Sequence, residues 1–247
     1  WLAALRQQGA STWAAAAWPG RKTEHWKYIS LAPLQQCEQL GWSSESDDVA
    51  LDAVEQIELD AIRLVFVNGR FNAARSSALP AGVVRFADAN TEQQALIQQH
   101  LGKVVDSERH MFAALSNAWA ADGVLLHVAR GHKLEKPVYI VNVSTAQANP
   151  VAASQRVLVV LEDNAEAELI EHYASDSVSQ NGFVNSLTEV VVGNNAQVQH
   201  YRINLEQEDL LHVGGVHVNL QRDARFHGFT LAQGSRLKRI DYQVNML

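Results

Sequence analysis

From Gly123 onward apolar and polar residues alternate with a period of two, the spacing of strands with one buried face. The runs 124–128 and 138–143 read as strands, and Pro137 suits the position just before the second, where a missing N–H costs least. The alternation then settles into a repeat. Residues 159–167 (VVLEDNAEA), 190–198 (VVVGNNAQV) and 218–226 (VNLQRDARF) share one pattern: apolar residues six and four places before an alanine, a polar corner, and an apolar residue two places after. The alanines Ala165, Ala196 and Ala224 are 31 and then 28 residues apart. A single coil of that length cannot cover its own apolar face, so the repeat predicts stacked coils, a parallel β-helix or flattened β-solenoid. A jelly roll is the rival, and recurrence of one residue class at one corner favours the solenoid. The alternation puts Ala167, Leu169, Val198, His200, Phe226 and Gly228 on the inner face. Glu166, Glu168, Gln197, Gln199, Arg225 and His227 fall outside.

The first half has a different rhythm. Residues 1–5 and 12–18 are helix-favouring, and Pro19-Gly20 stops the second run. A polar loop at 42–48 leads into an acidic helix over roughly residues 48–58. Residues 62–67, Asn68-Gly69 and Arg70-Phe71 spell a hairpin, because Asn-Gly supplies the positive φ angles of a type I′ turn. Residues 91–101 and 108–120 are helical, the latter with Met111, Phe112, Leu115 and Trp119 on one stripe. The chain is therefore mainly β with an N-terminal α/β part: a small helical domain over 1–122 carrying a hairpin at 62–75, then a β-helix over 123–247. The chain starts at Trp1 and stops just after a strand-like run, 240–244, which reads as a fragment.

Composition narrows the function classes. With 47% hydrophobic and 19% charged residues the chain has ample material for a core. A net charge of −7 argues against a nucleic-acid or anionic-membrane surface. No apolar stretch approaches the ~20 residues that span a bilayer. One cysteine, Cys37, excludes an intramolecular disulfide and fits a reducing, cytoplasmic setting.

Candidate chemistry is thin. The ten histidines lack metal-site spacing, with close partners only at Glu171-His172 and His212/His217, so no metal ligands are assigned. His200 reads as a hydrogen-bonded core histidine; His127, His172, His217 and His227 read as sheet-surface residues. No catalytic residues are assigned either: nucleophile elbow and phosphate loop are both missing, and Glu166, Glu168 and Glu171 read as a solvated face rather than a glycosidase pair. Cys37 reads as structural. One segment resists a bland account: Arg21-Lys22-Thr23-Glu24-His25-Trp26-Lys27-Tyr28 crowds charged and large aromatic residues into eight positions, as at an interface or an interdomain joint.

That segment resembles the N-terminal Arg-x-x-Glu-x-Trp-Lys-Tyr signature of the SufD family of iron–sulfur cluster assembly proteins. Residues 64–71 (LVFVNGRF) are similar to the family's hairpin, and residues 156–173 and 196–201 to its β-helix strands. The resemblance implies that the β-helix is a right-handed parallel one and that the chain is a non-catalytic scaffold subunit working with SufB and the ATPase SufC, with Arg21, Glu24, Trp26, Lys27 and Tyr28 as structural or interface residues. It implies no cofactor held by this fragment; a transient iron–sulfur cluster and reduced flavin belong to the whole complex. No nucleic acid or membrane partner is implied, and a homodimer of the isolated fragment is compatible with it. The family's cysteine and histidine at the SufB interface lie further along the β-helix than Leu247, and Cys37 is not their equivalent. A SufB-like cluster scaffold and a β-helix carbohydrate-active enzyme or lectin are the alternatives.

Overall fold

A computed structural model describes residues 1–36, 41–42, 57–145, 150–176 and 181–247. The helices are α1 (Ala3–Ala15), α2 (Ala32–Gln35), α3 (Thr91–His100) and α4 (Met111–Ala118). The first strands are β1 (Gly41–Trp42), β2 (Ile62–Val67), β3 (Arg70–Phe71), β4 (Val83–Arg85), β5 (Val124–Val128) and β6 (Val138–Ser144). The coil strands follow: β7 (Val151–Leu161), β8 (Glu166–Ser175), β9 (Phe183–Val192), β10 (Gln197–Leu205), β11 (Leu211–Leu220), β12 (Arg225–Gln233) and β13 (Leu237–Met246).

Two sheets face each other. One runs β13-β11-β9-β7-β5-β4, with β1 also on β7; the other runs β12-β10-β8-β6-β2-β3. Every pairing among β5 to β13 is parallel, which excludes the antiparallel jelly roll and makes this a β-solenoid. The sequence repeat is also the sheet register: Val190 lies between Val159 and Val218, and Val198 between Ala167 and Phe226.

The corners explain the repeat's composition. Asn164, Asn195 and Asp223 occupy the left-handed region at φ of 60°, 54° and 60°, which Asn and Asp tolerate better than other non-glycine residues. The next residue, in each case the repeat alanine, closes the turn by donating its N–H to the carbonyl of Glu162, Gly193 or Gln221. Ala165 and Ala196 are fully buried, so a larger side chain there would press into the opposite sheet. Successive corners are tied together: Asn195 Nδ2 donates to Asn164 Oδ1 at 2.9 Å, and Asn194 Nδ2 to Asp163 Oδ1 at 3.0 Å.

The Asn68-Gly69 hairpin forms as expected, with both φ positive. Its strand β2 does more than the hairpin requires, pairing in parallel with β6 and so making the first rung of the second sheet. The N-terminal helices lie over the outer face of the first sheet. Leu31, Leu34, Met111, Phe112 and Leu115 pack on Phe183, Leu211, Val213 and Leu237. The expected runs at 1–5 and 12–18 are joined in one helix, α1, which ends at Ala15 rather than Trp18. Gly9 sits inside it because α1 crosses α4 too closely for a side chain: a Cβ there would stand 2.5 Å from the Ala118 nitrogen. The helix expected over 48–58 falls largely outside the described residues, and residues 57–60 are not helical. Cys37 also lies outside them.

Candidate functional site

The β-helix interior divides along each strand. Near the Asn/Asp corners it is lined by Val159, Leu161, Val190, Val192, Val216 and Val218. Toward the other end the same inward alternation brings in polar side chains: Glu171, Tyr173, Ser186, Thr188, His200, Arg202 and His212, all at most 1% exposed. The outward-reading expectation for Glu171 is thus corrected. It is in phase with Ala167 and Leu169, four and two residues after them, and points into the solenoid.

These groups form one connected network across three coils. Glu171 accepts from Thr188 Oγ1 at 2.6 Å, His200 Nε2 at 2.7 Å and the Tyr173 hydroxyl at 2.7 Å, with Arg202 Nη1 at 3.5 Å. Arg202 stacks over the Tyr173 ring at 4.4 Å and donates to Ser186 Oγ. Ser186 Oγ is 2.7 Å from His212 Nε2, and His212 Nδ1 is 2.8 Å from Glu206, whose carboxylate also meets Lys238 Nζ at 3.1 Å. Burial works against the Glu171 carboxylate, but Arg202 and the His200 hydrogen bond override it and lower its pKa to about 2. Glu206 is likewise opposed by burial and lowered to about 2 by His212 and Lys238. Burial lowers His212 itself. We assign His212 as neutral, its Nδ1–H donating to Glu206 and Nε2 accepting from Ser186. Lys238 then supplies the charge that balances Glu206, as Arg202 balances Glu171.

Ser186, His212 and Glu206 have the connectivity of a nucleophile–base–acid triad. The surroundings deny it that chemistry. Ser186 is fully buried, its oxygen accepts from Arg202, and a single Cβ on neighbouring Gly214 would already stand 2.3 Å from it. A carbonyl carbon has no approach to that oxygen. The void beside Ser186 is only about 20 Å³, around the volume needed for one water. The network is a structural clamp.

A second buried pair joins the helices to the solenoid. Arg156 on β7 and Glu189 on β9 meet at 2.6 Å with no solvent exposure. Arg156 also donates to Ser116 Oγ and Asn117 Oδ1 of α4, while Glu189 accepts the backbone N–H groups of Gly102, Val104 and Val105. Outward positions that would otherwise be a charged surface become the joint between the two layers.

The histidines separate as their surroundings dictate. His200 is a core histidine bound to Glu171, as expected. His172 and His217 are buried rather than exposed on a sheet surface: the Tyr139 hydroxyl of the neighbouring strand lies 2.7 Å from His172 Nδ1, and His110 packs on His217 at 5.1 Å between rings. Among the described residues no three His, Cys, Asp or Glu side chains are placed to hold a metal ion. No helix among them is long and apolar enough to cross a membrane.

From the segment 21–28, Trp26 lines the small void beside Ser186. A short 3₁₀ helix, Glu24–Trp26, half-buries Trp26, whose ring packs on Phe112 at 5.5 Å and carries the Arg239 guanidinium at 4.0 Å. Arg21, Glu24, Lys27 and Tyr28 point outward, and Tyr28 is 89% exposed.

Comparison with known proteins decides what frame this is. Residues 1–140 match the model of the SufBD protein N-terminal region, and residues 142–247 match the SufBD core domain of the SUF system of FeS cluster assembly. The chain belongs to the SufBD family. It is 25% identical to an iron–sulfur cluster assembly SufBD family protein of Synechocystis, over 97% of this chain and 55% of that protein. It is 28% identical to the iron–sulfur cluster assembly protein SufD of Escherichia coli, over 86% of this chain and 49% of that one. The Bacillus subtilis SufD matches at 30% over 45% of the chain and 25% of its own length. The chain spans about half the length of the first two relatives. The SufBD core match starts within β6 and takes in β7 to β13, so the Glu171 network and both members of the Arg156–Glu189 pair lie in the family's core domain.

Proposed function

We propose that this chain is part of a non-catalytic, cytoplasmic scaffold subunit of the SufD type, which acts in iron–sulfur cluster assembly together with SufB and the ATPase SufC. The observation that carries the reading is the match of both family regions in chain order, on a solenoid whose coils are locked from inside by paired charges. A β-helix presents long stiff faces, the property a docking platform needs. The sealed Ser186–His212–Glu206 set supports a structural rather than catalytic role. Within this reading Trp26 is the anchor of the segment 21–28, pinned by Phe112 and Arg239, and Arg21, Glu24, Lys27 and Tyr28 are the groups offered to a partner. The cluster is cargo of the assembled complex.

Co-expression of the natural full-length polypeptide with SufB and SufC tests this. The expected result is one stable complex after affinity capture and gel filtration, weakened by Tyr28→Ala combined with Lys27→Glu. Elution of the polypeptide alone, with SufB and SufC together in another fraction, would overturn it.

A further inference from the structure

A cavity of about 630 Å³ lies outside both buried networks, where the hairpin turn, the end of α4 and the start of β7 meet. Its size falls in the range of small-molecule sites. The apolar walls are aromatic: Phe66 and Phe71 in an edge-on pair at 5.5 Å, and Trp119. Two polar side chains of β7 line it: Gln155, a residue only 6% exposed, and Ser154, whose buried hydroxyl has no hydrogen-bond partner. Because β5 pairs with β7 only from Val157 onward, residues 154–155 are paired with β9 alone among the described strands and border the cleft on their other side. A buried hydroxyl without a partner is costly, so one in the wall of a cavity is a mark of something that binds there.

The charge around the cleft is one-sided. Arg6, Arg70 and Arg85 line it, against one carboxylate, Asp122. Asp122 is already occupied, with Arg85 at 3.4 Å and the N–H groups of Ala87 and Gly123 on its other oxygen. Arg85 is held in place by Asp88 and stacks on the Phe71 ring at 4.2 Å. Arg6 and Arg70 are exposed at the mouth. An arginine fork recognises carboxylate and phosphate groups, while flat rings and a buried amide suit a planar body with polar edges.

We propose that this cleft binds a small organic anion: a carboxylate or phosphate held by Arg6 and Arg70, on a flat aromatic body seated between Phe71 and Trp119 against Gln155. This site goes beyond the scaffold role and does not depend on it.

Calorimetric titration of the 247-residue chain with 2-naphthyl phosphate, 2-naphthoate, neutral 2-naphthol and inorganic phosphate tests the proposal. Both aryl anions are expected to bind once per chain, and the tighter of the two identifies the headgroup. Naphthol and inorganic phosphate should each bind about tenfold more weakly or worse. Arg6→Glu with Arg70→Glu should abolish anion binding while leaving the circular dichroism spectrum that of the folded parent, since both residues are exposed. Gln155→Leu should weaken the aryl anions about tenfold and leave inorganic phosphate where it was. Equal affinity for naphthol and its phosphate, undiminished binding by the charge-reversed variant, or no saturable binding of either aryl anion would overturn it.

Discussion

The two ends of the solenoid interior are built on the same coils, with the same strand spacing, yet are held by different physics. At the corner end, Val190, Val216 and Val218 stack on one another, and any aliphatic side chain of similar volume would serve. At the other end Glu171, Arg202, Ser186, His212, Glu206 and Lys238 are matched donor to acceptor, and an aliphatic side chain at any of them would leave a buried neighbour unsatisfied. The apolar end stacks coils without choosing a register strongly. The charged end penalises every register but one, because a one-residue slip would leave buried ions alone.

The largest break in that comparison is Glu171→Ala. It strands Arg202 and removes the acceptor of three further donors, so a loss of about 4 kcal/mol in urea unfolding is expected. A loss below about 1 kcal/mol would mean the interior admits water and the network is not a clamp. Acid should separate the two ends next. Glu171 and Glu206 have folded pKa values lowered from 4.5 to about 2. A depressed carboxylate stabilises the fold above its unfolded pKa, and that contribution is lost as pH falls through the folded one. Stability should therefore drop between about pH 4.5 and 2, by about 3 kcal/mol per carboxylate. Glu206→Gln should flatten that slope in denaturation measured across pH. His217, lowered to about 4 chiefly by burial, adds an earlier loss as pH falls from 6.5 toward 4. Val216→Ala at the other end should cost about 2 kcal/mol, equally at pH 7 and pH 3, because nothing there titrates.

Much of this architecture was legible in the chain. The corners could be read because an Asn or Asp at positive φ followed by a buried alanine is a local requirement, and the repeat aligned the coils in their true register. The hairpin was legible from Asn68-Gly69 for the same reason. His200 was placed inside by alternation alone. Its partner was not, because Glu171 was read with Glu166 and Glu168 as one acidic surface, although counting in twos from Ala167 places it inward. The Ser186–His212–Glu206 contacts had no such signal. Coil stacking brings together residues 26 and 6 positions apart, and spacing does not say which inward residues will touch. Arg156 and Glu189 were hidden differently: strand alternation marks them as outward, and only the docking of α4 and the 102–105 loop makes that side an interior.

The smallest effect expected lies at the corners, and it tests why they recur. Asn195 combines a left-handed backbone with a side-chain amide that bonds to Asn164 on the coil below. Asn195→Ala removes both advantages and should cost about 1–2 kcal/mol, the penalty of a Cβ at positive φ. Asn195→Gly removes only the amide bond and relaxes the backbone. If the turn conformation is what the repeat preserves, the glycine variant should unfold within about 0.5 kcal/mol of the parent. If glycine instead costs as much as alanine, the amide ladder between coils is the stabilising element. The corner end would then rest on specific polar pairing, as the interior of the other end does, and the contrast between them would be one of degree.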